Sequence, residues 1–160
     1  MAEPQSDDFI FLQQALELAI ESARGSGGPF GALVVKNGQI IGKGHNQVTE
    51  HCDPSAHAEI MAIRQACKNS HDFQLTDCTL YSSCEPCPMC LSAIYWARIP
   101  RLVYAASADQ AAEAGFDDRF IYQQLSKPAG ERSLIMEHQP HPLTTRSFEI
   151  WRKNPDRREY

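Results

Sequence analysis

No apolar run in the chain approaches the roughly 20 residues that a membrane-spanning helix requires, and there is no internal repeat or low-complexity tract. Positive charge is scarce. Fifteen Lys and Arg face twenty Asp and Glu, for a net charge of −5. That balance disfavours a nucleic-acid partner, whose affinity comes mainly from Lys and Arg on phosphates. Met1 to Asp8 is polar and acidic and lacks the basic and apolar regions of a secretory signal, so a cytoplasmic protein is expected. The glycine-rich stretch Gly25-Ser26-Gly27-Gly28-Pro29 lacks the lysine and the following helix of a phosphate-binding loop. It reads instead as a turn at the rim of a pocket.

What is present suits one domain spanning residues 1–160. Hydrophobic residues make up 42% and charged residues 22%, an ordinary globular balance. A chain of this length buries roughly two-thirds of its unfolded surface, enough for a core. Phe9, Leu12, Leu16, Ala19 and Ala23 recur at helical spacing, which predicts a helix started by Asp7 or Asp8 and ended by Gly25. Gly31 to Lys36 and Gln39 to His45 are strand-like runs joined by Asn37-Gly38, a strong hairpin signal. Gln47 to Cys52 reads as a polar loop. Asp53-Pro54 reads as the start of a helix from about Pro54 to Asn69. Cys78 to Ser83 is a short buried strand, Pro88 opens a helix running to about Arg98, and Arg101 to Ala106 is another strand. Short helices are expected at Asp109 to Ala114, Phe120 to Leu125 and around Phe148 to Trp151, with a weak strand at Leu134 to Glu137. Strands alternating with helices after an initial hairpin predict a three-layer α/β/α sandwich with a mixed β-sheet.

The chemistry concentrates in His57-Ala58-Glu59 and Pro86-Cys87-Pro88-Met89-Cys90. Zn²⁺ prefers tetrahedral thiolate and imidazole ligands, and a catalytic site uses three protein ligands and leaves one position open. Cys87 and Cys90 form a C-x₂-C pair, and His57 can supply the third ligand. Glu59, two residues on, is placed to act as proton carrier rather than ligand. H-x-E combined with P-C-x-x-C is the signature of zinc deaminases. Either half alone is weak, but the two together, in this order, are specific. Both ligand stretches fall at expected helix starts, where the dipole favours thiolate. Cys84 extends the run to C-x₂-C-x₂-C, but an iron–sulfur pattern would need a cysteine at position 94, which is Ile94. Cys84 therefore reads as a small buried residue at a strand end. Cys52, Cys67 and Cys78, like Cys84, are as compatible with free thiols as with disulfides.

These motifs, with Gly27 to Ala32, Asp53 to Glu59, Ser83 to Cys90 and Gly115 to Asp118, resemble the cytidine deaminase superfamily, and within it the bacterial guanine deaminases. The resemblance extends over nearly the whole chain, including Trp151 and Glu159-Tyr160. It implies the deaminase fold, a Zn²⁺ cofactor, and hydrolytic deamination of guanine to xanthine and ammonia with Glu59 moving the protons. It also implies substrate-binding roles for Phe30, Asn46, Ala58, Trp96, Asp118 and Tyr160. Phe30 and Trp96 would clamp the ring, Asn46 would bond its polar edge, and Asp118 would accept from purine N–H groups. A homodimer is expected, with domain swapping of a C-terminal lid as one arrangement. Two other classes remain in play. One is an enzyme acting on nucleosides or tRNA, for which the cluster Arg152, Lys153, Arg157 and Arg158 is the best feature. The other is a non-catalytic zinc-binding module, against which the intact Glu59 argues.

Overall fold

The computed structural model describes residues 6–160. The chain divides into two compact units, Met1–Arg119 and Phe120–Tyr160. The first holds a four-stranded sheet of β1 (Gly31–Lys36), β2 (Gln39–His45), β3 (Cys78–Cys84) and β4 (Arg101–Ala106), in the order β2-β1-β3-β4. β1 is antiparallel to both β2 and β3, whereas β3 and β4 run parallel, so the sheet is mixed. The β1–β2 turn has Asn37 at φ 49° and Gly38 at φ 73°. That pair of left-handed residues matches the right-handed twist of the strands.

Side chains alternate across β1, and both of its faces are covered. Leu33 and Val35 point to one side with Tyr81, against Ala15, Phe11, Leu12 and Leu18 of α1 (Asp7–Arg24). Ala32 and Val34 point to the other side with Leu80. There they meet Ala58, Ala62 and Ala66 of α3 (Ala58–Ser70) and Ile94 of α4 (Pro88–Trp96). The result is the expected three-layer arrangement. Two glycines set how closely α3 approaches the sheet. A Cβ on Gly44 would strike the Ala58 carbonyl and the Ala62 amide, and one on Gly42 would strike the Ala62 carbonyl and the Ala66 amide. Two residues along the strand thus match four along the helix, and α3 lies backbone to backbone on β2.

Several expected boundaries differ from the observed ones. The cap of α1 is Ser6, whose Oγ accepts from Phe9 N at 3.3 Å, not Asp7 or Asp8. Both aspartates lie inside the first turn, where their charge complements the helix dipole. The loop Gln47 to Cys52 contains a short helix, α2 (Val48–His51). Asp53-Pro54 does not start α3. Asp53 Oδ1 accepts from Ser55 N (2.8 Å) and Ser55 Oγ (2.7 Å), and its carbonyl accepts from Ala56 N (3.1 Å). This local turn uses up the capping groups of Asp53, and the chain then passes through an extended His57 (ψ 155°), which becomes the cap of α3. α5 (Ala108–Glu113) begins at Ser107 with a reciprocal capping box to Gln110.

The second unit contains most of α6 (Arg119–Ser126), a 3₁₀ turn at Ala129–Glu131, and α7 (Arg146–Lys153). Leu134 to Glu137 is not a strand. Leu134, Ile135 and Met136 are all exposed, and a strand requires a partner edge to satisfy its backbone. Among the described residues, no helix is long and apolar enough to cross a membrane.

Candidate active site

Two helix starts converge. His57 caps α3 and Cys87 caps α4, both in extended conformation, and Pro88 occupies the first turn of α4. His57 Nδ1 lies 3.6 Å from Cys87 Sγ and 3.6 Å from Cys90 Sγ. Tetrahedral zinc with Zn–S near 2.3 Å and Zn–N near 2.0–2.1 Å would separate nitrogen and sulfur by about 3.6 Å. The observed spacing therefore fits the ion. Among the described residues these three form a group that could hold a metal ion, with no fourth protein ligand joining them. A site of that kind is open at one position.

The electrostatics of the cluster are uneven. Cys90, hydrogen bonding and packed inside, draws the Cys87 thiol down to about 4, assisted by His57. The Cys90 thiol is raised, first by its bond to Cys87 and then by burial. The contact with Cys87, first as a hydrogen bond and then through its charge, raises His57.

Glu59, in the first turn of α3, is 5% exposed. Its Oε1 accepts from Ser82 Oγ at 3.1 Å, and its Oε2 accepts from Cys90 Sγ at 3.4 Å. Burial raises its pKa above the ordinary carboxylate value, making it the weaker acid. A buried carboxylate bonded through one oxygen to a thiol of the cluster has the chemistry to accept and return a proton.

Asn46, immediately after β2, is 8% exposed. Its Oδ1 accepts from Gly28 N and Val48 N, both at 3.3 Å. Two backbone N–H donors fix the amide orientation, and among the described residues Nδ2 has no such partner. Ser22 Oγ donates to Gly28 O at 2.7 Å and holds the same loop from α1. The glycine-rich turn is therefore clamped beside the site. Phe30 follows it, and Ser83 Oγ accepts from Gly31 N at 3.0 Å and anchors the start of β1. Asp118 is half-buried. Burial, and after it the charge of Cys87, raises its carboxyl above the ordinary value. The adjacent Asp117 takes Arg119 at 2.6 Å.

Residues 5–106 match the family of the cytidine and deoxycytidylate deaminase zinc-binding region. The chain belongs to this family. It is 52% identical to guanine deaminase of Bacillus subtilis (strain 168) over 151 residues, 94% of this chain and 97% of that protein. The solved structure of Bacillus subtilis guanine deaminase superposes with a TM-score of 0.92 at 51% identity, covering 95% of this chain and 98% of that one. A tRNA-specific adenosine deaminase of Streptococcus pyogenes serotype M18 (strain MGAS8232) is 44% identical over 97 residues, 61% of each chain. The mixed sheet with helices on both faces is thus the fold of a deaminase of this family.

Of the residues expected at the site, the structure brings together His57, Glu59, Cys87 and Cys90, and leaves Asp118 half-buried at the end of the first unit. Ala58 is fully buried at the start of α3, its methyl packed in the core. Phe30 packs on Phe116, a residue not expected at the site. The Phe30 and Phe116 rings meet edge to face with centroids 4.9 Å apart. Trp96, the last residue of α4, is 61% exposed. Phe30 and Phe116 also line a 300 Å³ apolar cavity with Leu16 and Ile20 of α1 and Ala111 of α5. Phe116 had a sequence signal, an aromatic between Gly115 and a pair of aspartates, but nothing local assigned it to Phe30. Ser82 was also missed. Tyr160 belongs to the second unit, where it lines a groove with Phe148, Trp151 and Glu159 and is largely exposed.

Proposed function

We propose that the chain catalyses guanine + H₂O → xanthine + NH₃ with a zinc ion held by His57 Nδ1, Cys87 Sγ and Cys90 Sγ. The observation that carries this reading is the 52% identity to a guanine deaminase over 94% of the chain, C-terminal unit included. The tRNA-deaminase relative covers only 61%. Structures of related chains are bound to 2,6-diaminopurine and 8-azaguanine, which favours a free purine base.

When bound, zinc supplies a Lewis acid that acidifies water and polarises the developing oxyanion. The rest falls to the protein. Glu59, through Oε2, accepts the proton released by water as its oxygen attacks C2. It then delivers that proton to the neighbouring ring nitrogen, takes up the proton of the new C2 hydroxyl and passes it to the C2 amine, which leaves as ammonia as the C2 carbonyl forms. Oε1 stays bonded to Ser82 throughout. Asn46 Nδ2 donates to the acceptor edge of the purine, while Asp118 accepts from its N–H groups. Phe30, backed by Phe116, covers one ring face. The buried position of Glu59 excludes competing water.

The segment ending in Trp151 and Tyr160 acts in this reading as a lid that completes the substrate contacts, and the exposed Tyr95 and Trp96 of α4 suit a homodimer contact. One arrangement exchanges the lid between the two copies. A cytoplasmic location accords with the six free thiols. Steady-state kinetics on guanine, guanosine, cytidine and adenine, with ammonia release, test the assignment. Guanine should give the highest kcat/KM, and a preference for guanosine would move the activity to the nucleoside.

A further inference from the structure

Ser82 lies in the middle of β3, 1% exposed, between Ala32 of β1 and Tyr104 of β4. It shares a face with Leu80, the face that α3 covers. A hydroxyl there is costly in an apolar layer unless it is bonded. Two bonds satisfy it. Cys84 N–H donates to Ser82 Oγ at 3.4 Å. Because the hydroxyl has a single proton and Cys84 N is a donor, that proton goes to Glu59 Oε1, 3.1 Å away. The direction of the bond follows from its partners.

The two oxygens of Glu59 are thereby made unequal. Oε1 faces a buried donor in the sheet, and Oε2 faces the sulfur of Cys90 at 3.4 Å. A carboxylate held only at its backbone could turn about its last side-chain bond and present either oxygen. Here the Ser82 bond resists that rotation. We propose that Ser82 is a positioning residue for the deamination reaction: it locks the Glu59 carboxylate so that Oε2 alone moves protons. This rests on the proton-carrier role of Glu59 described above. The strand supplies the precision, because β3 is paired on both sides and its side chains cannot drift.

The pair Ser82→Thr and Ser82→Val tests the idea, because the two side chains have one shape and differ in the hydroxyl. Ser82→Ala accompanies them, and zinc content and melting temperature are measured on every variant. Ser82→Thr should keep kcat on guanine within about threefold of the parent. Ser82→Val and Ser82→Ala should lose about 10- to 100-fold in kcat with KM within twofold and zinc intact, the size expected from loosening a positioned group. In a Glu59→Gln background, Ser82→Ala should lower kcat no further. A double-mutant cycle on melting temperature, using the zinc-free protein, should show that the two substitutions are coupled. The proposal is overturned if Ser82→Val, or Ser82→Ala where Val does not fold, retains kcat within twofold. It is equally overturned if Ser82→Thr fails to rescue while folded and zinc-loaded, or if the losses in kcat multiply with that of Glu59→Gln. If Glu59→Gln itself keeps turnover, the proton-carrier reading falls. If Glu59→Gln loses turnover and Ser82→Ala does not, only the role of Ser82 falls.

Discussion

Glu59→Gln is the sharpest perturbation of the proposed chemistry because it changes so little else. The amide is the size of the carboxylate, and its oxygen can still accept from Ser82 Oγ, 3.1 Å away in the parent. The metal group of His57, Cys87 and Cys90 does not include residue 59, so zinc content should remain near one per chain. What is lost is the group that carries the proton. Removing a positioned acid/base costs about 10²–10⁴-fold. Glu59 handles at least two transfers, so the upper end applies, roughly 5 kcal/mol on the barrier at 1.36 kcal/mol per tenfold. Asp118 offers no bypass in this reading, since it is assigned to substrate N–H groups. Stability should move the other way or stay constant, because a neutral amide removes a charge buried to 5% exposure. The assay is kcat on guanine by loss of ultraviolet absorbance, with zinc by elemental analysis and melting by circular dichroism. Turnover within tenfold of the parent at stoichiometric zinc would refute the reasoning.

Four further outcomes are expected. Cys87→Ala combined with Cys90→Ala should abolish zinc binding, and full zinc retention in elemental analysis would rule out this site. Gly44→Ala would place a methyl against the Ala58 carbonyl and 2.9 Å from Met61 Cβ. Forcing α3 off β2 should cost about 1–3 kcal/mol, or roughly 2–12 °C in melting temperature for a chain of this size, and unchanged melting would contradict the close packing. Arg101 and then Tyr81 hold the Asp8 carboxyl down at about 2, against an ordinary 3.8. The pair therefore stabilises the fold above about pH 4 and loses that contribution as pH falls towards 2. Asp8→Asn should lower the melting temperature at pH 7, with the difference from the parent narrowing below pH 4; a gap constant with pH would exclude the linkage. Deleting 157–160 should leave a folded, zinc-loaded protein with sharply reduced kcat/KM on guanine, and unchanged kinetics would remove Tyr160 from the site.

The sequence by itself determined the chemistry-bearing residues and most of the scaffold. The hairpin β1–β2 and strand β4 fall on the expected residues because alternation and an Asn-Gly turn are local signals, complete within a few positions. The ligand types and their spacing likewise sit within a short stretch at each helix start. Tertiary structure decided what depends on approach across the chain. Ser82 meets Glu59 across 23 positions, and Gly28 meets Asn46 across 18. Phe116 meets Phe30 across a still longer separation. No periodicity encodes such meetings; the first of them depends on α3 packing against the glycines of β2. The same applies to what failed to form. Leu134 to Glu137 has strand-like residues, but a strand exists only where an edge receives it, and here those side chains stay exposed. Asp53 has the chemistry of a helix cap, yet its oxygens accept from Ser55 and Ala56, and the cap position falls to His57.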